Sequence, residues 1–292
     1  MLHRIVRRPV NRDSIEADAR MAVAIARSWS EKIGALGLDL RELRVLELGP
    51  GRNLGPQLFL ASNGAHVTVA EPYLASWDKR YHPTLYDALR SEWPETAQAL
   101  DRVVASAGYG GELTVIAEPA ERLTGLRDGT IDLVLSNAVL EHVSDLPAVC
   151  REMARITRLG GVNLHQIDFR WHRCAARPLD FLLQSDARCR RDYTTYPYEN
   201  GNRWRPSEVA ALFRGAGFEV RHTFPDEWTD PEYLATFLPE LRRSKSVYRS
   251  WPEEDLCVLG ALFELVRTDD PAVRSMGEAE AEIHRRRKQG PP

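Results

Sequence analysis

Cysteine is scarce in this chain and shows no pattern. Cys150, Cys174, Cys189 and Cys257 have no C-x-x-C spacing, so neither a metal cluster nor a disulfide framework is expected, and a reducing cytoplasm is the expected compartment. No apolar run approaches the roughly 20 residues that span a bilayer. The N-terminus is basic at Arg4, Arg7, Arg8 and Arg12, but no apolar stretch follows, so no signal peptide is expected. An excess of one charge is also missing: 39 basic side chains face 42 acidic ones, a net charge of −3. That removes any global pull toward nucleic acid or an anionic membrane. The run His284-Arg285-Arg286-Arg287-Lys288 is accordingly expected to be a solvated face. There is no internal repeat.

What is present is core material and one organising stretch. A hydrophobic share of 43% suits a folded chain of one large domain or two small ones. The stretch is Val45-Leu46-Glu47-Leu48-Gly49-Pro50-Gly51-Arg52-Asn53-Leu54-Gly55. Its apolar start reads as a parallel strand buried on both faces. Gly49 and Gly51 permit a tight turn and the close approach of a ligand to the main chain. The helix that follows aims its free N–H groups at that turn. Glu71, twenty residues after Gly51, ends the next apolar run, His66-Val67-Thr68-Val69-Ala70. An acid there can accept hydrogen bonds from both hydroxyls of a ribose. Together these residues predict a nucleoside-bearing cofactor in an α/β sheet.

The glycine spacing is G-x-G-x-x-x-G, with Glu47 two residues before the first glycine. This resembles motif I of the class I S-adenosylmethionine (SAM) methyltransferases. Ile131–Asn137 resembles their fourth strand, Ala138-Val139-Leu140-Glu141-His142-Val143 the segment after it, and Leu159-Gly160-Gly161 the turn into the fifth. The resemblance covers residues 43–168 best. It implies an α/β fold: a seven-stranded, mostly parallel sheet with helices on both faces, an antiparallel last strand and helical insertions forming a lid. The implied cofactor is SAM. The candidate cofactor-binding residues are Glu47, Gly49, Pro50, Gly51, Glu71, Pro72, Ala120, Glu121, Asn137 and His142. Pro119 stands where the family usually has the aspartate that meets the adenine, so Glu118 or the backbone near Ala120 is expected instead.

The remaining pattern divides the chain into a helical segment (1–40), a SAM-binding core (41–168), a lid insertion (169–205), the C-terminal part of the sheet (206–268) and a charged tail (269–292), a frayed helix or disordered. Residues 14–37 carry an apolar stripe at helical spacing. Tyr73, Trp77, Tyr81, Tyr86 and Trp93 form an aromatic series that suits core packing or a substrate loop. Asp145 and Pro147 open a helix that is expected to end at Gly160-Gly161.

For the chemistry, the candidate base is His165, oriented or replaced by Asp168, because both lie on the fifth strand near its ligand edge. For His142, a satisfied polar side chain, a cofactor contact and a metal ligand stay open. The ubiquinone-pathway O-methyltransferases have a glutamate where this chain has Asn137, so no metal is expected. Residues 163–266 resemble bacterial methyltransferases encoded with polysaccharide-assembly enzymes, or those of specialised metabolism. That points to a hydroxyl of a sugar or specialised metabolite as the acceptor, with an N-acceptor open. A homodimer is also left open, and neither nucleic acid nor membrane is an expected partner. The rival is an NAD(P)-linked oxidoreductase of Rossmann type. The absent glycine at the dinucleotide spacing argues against it. A nucleic-acid base methyltransferase would want an N/D-P-P-Y/F motif where this chain reads Asn137-Ala138-Val139-Leu140.

Overall fold

The computed structural model describes residues 12–195, 201–269 and 275–289. The chain divides into two compact units, Met1–Pro119 and Ala120–Pro292. In the first, α1 (Arg12–Ala35) buries Ile15, Ala19, Ala22, Ala26, Trp29 and Ile33, the stripe expected from its spacing. β1 (Arg44–Leu48) leads through the glycine turn to α2 (Gly55–Ser62), which stops at Asn63 with Gly64 at φ +98°. β2 (His66–Ala70) lies parallel to β1, Leu46 opposite Thr68. After it come α3 (Tyr81–Glu92), α4 (Ala97–Ser106) and β3 (Thr114–Ile116), the last parallel to β2. Tyr81, Tyr86 and Trp93 are buried, so most of the aromatic series is core.

The second unit starts with β4 (Ile131–Asn137) and α5 (Leu146–Ile156), where the Asp145 carboxylate caps the Ala148 N–H at 2.9 Å. α5 does not reach Gly160-Gly161 as expected. β5 (Thr157–Asp168) already begins at Thr157 and takes the two glycines into itself. Its register on β4 jumps from Ile131↔Thr157 to Leu133↔Val162, a bulge that Gly160 serves at φ +72°. A Cβ on Gly161 would meet Thr157 Cγ2 at 2.7 Å, which explains the glycine there.

Then follow α6 (Asp186–Thr195), α7 (Pro206–Gly215), β6 (Phe218–Trp228), α8 (Pro231–Arg243), the short α9 (Glu253–Leu256), β7 (Val258–Arg267) and α10 (Met276–Gln289). The sheet has seven strands in the order β3-β2-β1-β4-β5-β7-β6. β7 runs antiparallel to both β5 and β6, so the last strand is antiparallel as the resemblance implied. Leu179, Phe181 and Leu182 pack with Leu234, Phe237, Leu241, Tyr248 and Trp251 in a core of their own. Residues 196–200 of the expected Tyr196–Asn202 turn lie outside the described residues.

The charged tail takes the helical one of its two expected forms, but packed and not merely frayed. Residues 276–289 form α10, which buries Ala279 and Ile283 and packs on α7. The small Gly215 admits it: a Cβ there would come within 2.7 Å of Ala279 Cβ. Arg287 is not a solvated charge. It donates to Glu208 Oε1 at 2.7 Å and lies over the Trp204 ring at 4.5 Å. Among the described residues, no helix is long and apolar enough to cross a membrane.

Candidate active site

In the first unit the glycine turn is tied down by its neighbours. Gly49 N–H donates to the Ala70 carbonyl at 3.0 Å, joining the turn to β2. Gly49 and Gly51 sit at φ +58° and +74°. A Cβ on Gly51 would touch nothing within 4 Å, so the turn opens onto free space where a ligand can reach the backbone. The fully buried Leu54 takes φ +48° to enter α2, a left-handed conformation that costs on the order of 1–2 kcal/mol.

Contacts from α1 and α3 hold that strained entry. The Tyr86 hydroxyl donates to the Asn53 carbonyl at 2.6 Å. The Asp18 carboxylate takes Arg52 at 2.5 Å and the Tyr81 hydroxyl at 2.6 Å. Burial lowers the pKa of His82, keeping its ring neutral. Nδ1 then accepts the Asp78 N–H at 2.8 Å, and Nε2–H points at the Arg52 carbonyl at 3.2 Å. Sequence reading missed all four supports, Asp18, Tyr81, His82 and Tyr86; the short-range signal was aromatic spacing, which fits any core.

Glu47 is buried beneath the turn, beside Gln57 of α2, and burial pushes its carboxyl up to about 7. Glu71 follows β2 directly. Its N–H donates to the Ile116 carbonyl at 3.0 Å, and one carboxylate oxygen accepts the Tyr73 N–H at 2.8 Å. Among the described residues, the other oxygen has no hydrogen-bond partner. Pro72 is exposed and Pro50 half-buried. An open backbone turn, a helix N-terminus and an acid one strand away can take a nucleoside ligand with an anionic group and a ribose.

The second unit carries the other candidates. Glu121 is already engaged: its Oε1 accepts from the Ser144 N–H at 3.1 Å and the Ser144 hydroxyl at 2.9 Å. Ala120, next to it, is half-buried. Asn137 ends β4, and Ala138 turns the chain at φ +54°, its N–H on the Gln166 carbonyl at 3.0 Å. The turn that follows is clamped by Asn202, which sequence reading missed. Asn202 N–H donates to the Glu141 carbonyl at 2.5 Å, and its side-chain amide donates to the Leu140 carbonyl at 2.7 Å.

This turn presents Glu141 and His142 to the end of β5. The His142 and His172 rings lie 4.9 Å apart, and His172 Nε2 is 3.3 Å from Asp168 Oδ2. Asp168 also accepts the Arg170 backbone N–H at 2.8 Å and its guanidinium at 2.7 Å. Burial alone would raise the Asp168 pKa, but the bonds from His172 and Arg170 hold it well below the carboxylate range. It is a fixed anion, too weak a base to take a hydroxyl proton. Glu141 is the opposite case: only 2% exposed, it is pushed by burial up to about 8.

His165 does not sit where the proposed base must sit. β5 extends three residues beyond it, and its ring is fully buried, stacked on Phe213 of α7 at 5.4 Å. Nδ1 lies 2.8 Å from the Ser136 hydroxyl. Burial pushes its pKa down to about 3, so it neither meets an acceptor nor titrates near neutrality. The spacing placed it on the right strand; the alternation of a pleated strand turned it into the core.

Beneath this group lies a second residue that sequence reading missed. Arg205 is fully buried, with its guanidinium on the carbonyls of Phe169 (3.0 Å), Asp255 (3.0 Å), Leu256 (3.2 Å) and Val258 (2.6 Å). It locks the residue after Asp168 to the start of β7.

Residues 19–223 match the model of a family described as a methyltransferase domain. No curated protein matches the chain. Among solved structures, it resembles an S-adenosylmethionine-dependent methyltransferase from Mesorhizobium loti at 18% identity, over 81% of this chain and 96% of that one, with a TM-score of 0.49. It also resembles the 1,6-didemethyltoxoflavin-N1-methyltransferase of Burkholderia thailandensis at 16% identity, over 87% and 80%, with a TM-score of 0.43. A third is the magnesium protoporphyrin IX methyltransferase of Synechocystis at 17% identity, over 89% and 88%, with a TM-score of 0.45. The family match spans most of the chain, including the glycine turn, Glu71 and both histidines beyond β4 and β5, and it decides against hydride transfer: the chain belongs to the methyltransferase domain family and is a SAM-dependent methyltransferase.

Proposed function

We propose that the acceptor is a hydroxyl of a small polar molecule, a sugar or a specialised metabolite. The observation that carries this reading is the polar group at the end of β5: Glu141, His142, Asp168 and His172 stand together, and His172 is open to solvent. The sequence of residues 163–266, with its likeness to methyltransferases encoded beside polysaccharide assembly, supports the same class.

SAM, when bound, supplies an activated methyl on a good leaving group. The chain's part is therefore chiefly to position. The turn at Gly49–Gly51 and the acid Glu71 hold the nucleoside. Orientation of this kind can be worth up to ~7–11 kcal/mol. His165 takes no part, and the acceptor oxygen faces the Glu141–His142–His172 group.

The test has two arms. Calorimetry should show SAM bound by the wild type, and Gly51→Trp should weaken it by at least ~100-fold, because the new side chain fills the ligand's space at a φ that favours glycine. Labelled SAM incubated with host extract should mark a small hydroxylated molecule. Label appearing only in amines would sink the hydroxyl reading, and unchanged affinity in Gly51→Trp would sink the cofactor site.

A further inference from the structure

Glu141 is buried without the partners a buried carboxyl needs. It is 2% exposed, and among the described residues neither carboxyl oxygen has a hydrogen-bond partner. An ionised carboxylate in that position lacks the donors that offset its desolvation. A neutral one would still bring an O–H with no acceptor. The protein has not simply packed an apolar residue here. It clamps the turn that carries Glu141 through two hydrogen bonds from Asn202. Gly201 stands beside it at φ +57°, a conformation that favours glycine, 3.4 Å from the Glu141 carbonyl at the position a Cβ would take.

Two imidazoles complete the setting. One ligand atom each from Glu141, His142 and His172 lies within 4.8 Å of the other two. Around a tetrahedral ion with bonds near 2.0–2.1 Å, ligand atoms stand about 3.3 Å apart. Small rotations of the three side chains would close that difference, and the His172 ring faces solvent. Asp168 adds an outer carboxylate against His172, as commonly found behind a ligating imidazole, where it fixes orientation and raises basicity. Arg170 and Arg205 fix Asp168 and the chain after it in turn.

We propose that Glu141, His142 and His172 form a binding site for one divalent transition-metal ion of the zinc type. Two nitrogens and one carboxylate oxygen suit such an ion better than the oxygen-only shells of calcium or magnesium. Three protein ligands leave coordination positions open for an exchangeable group, the pattern of catalytic and not of structural zinc. The ion would supply the positive charge that the buried Glu141 lacks. Asn137, which stands in place of a fourth anionic ligand, is not needed for this set. The inference uses the acceptor-side group named above but not the transfer reaction, since ion binding is read without turnover.

The experiment uses the full chain without a purification tag, stripped with chelator and titrated with Co2+. The expected result is one ion per chain, visible d–d bands of a low-coordinate nitrogen and oxygen site, and displacement by Zn2+. Glu141→Gln should weaken Co2+ binding by ~100-fold or more while SAM affinity stays unchanged. If Glu141→Gln does not fold, His172→Ala, on an exposed side chain, should show the same loss. Cys174→Ser should change nothing. Absence of a saturable cobalt signal in the wild type overturns the proposal, as does binding that survives both ligand variants. Loss of SAM binding in the wild type would instead speak against the cofactor site and leave the ion result to be read by itself.

Discussion

The glycine turn of the first unit and the Glu141–His142 turn of the second solve opposite problems. The first is closed on itself: Asp18, Tyr81, His82 and Tyr86 satisfy the strained entry to α2, and among the described residues Gly51 and one oxygen of Glu71 stay open to a ligand. The second is clamped just as firmly at its backbone by Asn202, yet it holds a buried carboxyl that nothing in the described chain satisfies. A site for a constant cofactor can be completed by the protein's own bonds. A site that must take up a reacting group is left short of partners, and the deficit marks where the missing group goes.

The largest test of this contrast is Arg205→Met. Four carbonyls lose their shared donor in a dry interior, so the second unit should lose roughly 3–5 kcal/mol. Urea melts followed by tryptophan fluorescence would show it; a midpoint within error of wild type would mean the guanidinium does not hold that region. Next is pH. Glu47 is a buried acid whose folded pKa is raised, so its native state binds the proton more tightly than the unfolded chain does. Stability should be fullest below the unfolded value near 4.5 and fall as pH rises to about 7, by on the order of 3 kcal/mol. Glu47→Gln should flatten that slope. A wild-type curve that rises over the same window would contradict the buried state of this acid.

Glu71→Ala removes a charged acceptor that the fold uses only in part. SAM binding should weaken by ~1.5–3 kcal/mol, with the melting curve little changed. Equal loss of affinity and stability would make Glu71 a structural residue. The smallest effect is expected from Asp18→Asn, which loosens the support of Arg52 without touching the turn. Both side chains are partly exposed, at 25% and 33%, so the cost is only ~1 kcal/mol, about fivefold in SAM affinity. An unaltered affinity would show that α1 does not brace the turn.

Local pattern was enough for the elements and the cofactor turn. The stripe of α1, the buried runs of β1 and β2, Gly49 and Gly51, and the acid at Glu71 each depend on periodicity or on backbone freedom, and both are written in neighbouring residues. The seven-stranded sheet with its antiparallel β7 came through the family likeness, and the structure has both; the strand order is seen only in the structure. What only the tertiary structure decided is which polar side chain meets which. His165 and Asp168 lie three residues apart on one strand, yet one is stacked in the core on Phe213 and the other is held by Arg170 and His172 at the strand's end. Arg287, expected in a solvated run, is half-buried, and Arg205, not singled out by its neighbours in sequence, is fully buried, because their acceptors arrive from α9, β7 and α7, far away in the chain. Glu141, His142 and His172 become one group only when β5 and its following loop return beside β4. The reason is physical: backbone geometry follows from short-range sterics, whereas the partner of a buried polar group is chosen by packing across long sequence distances.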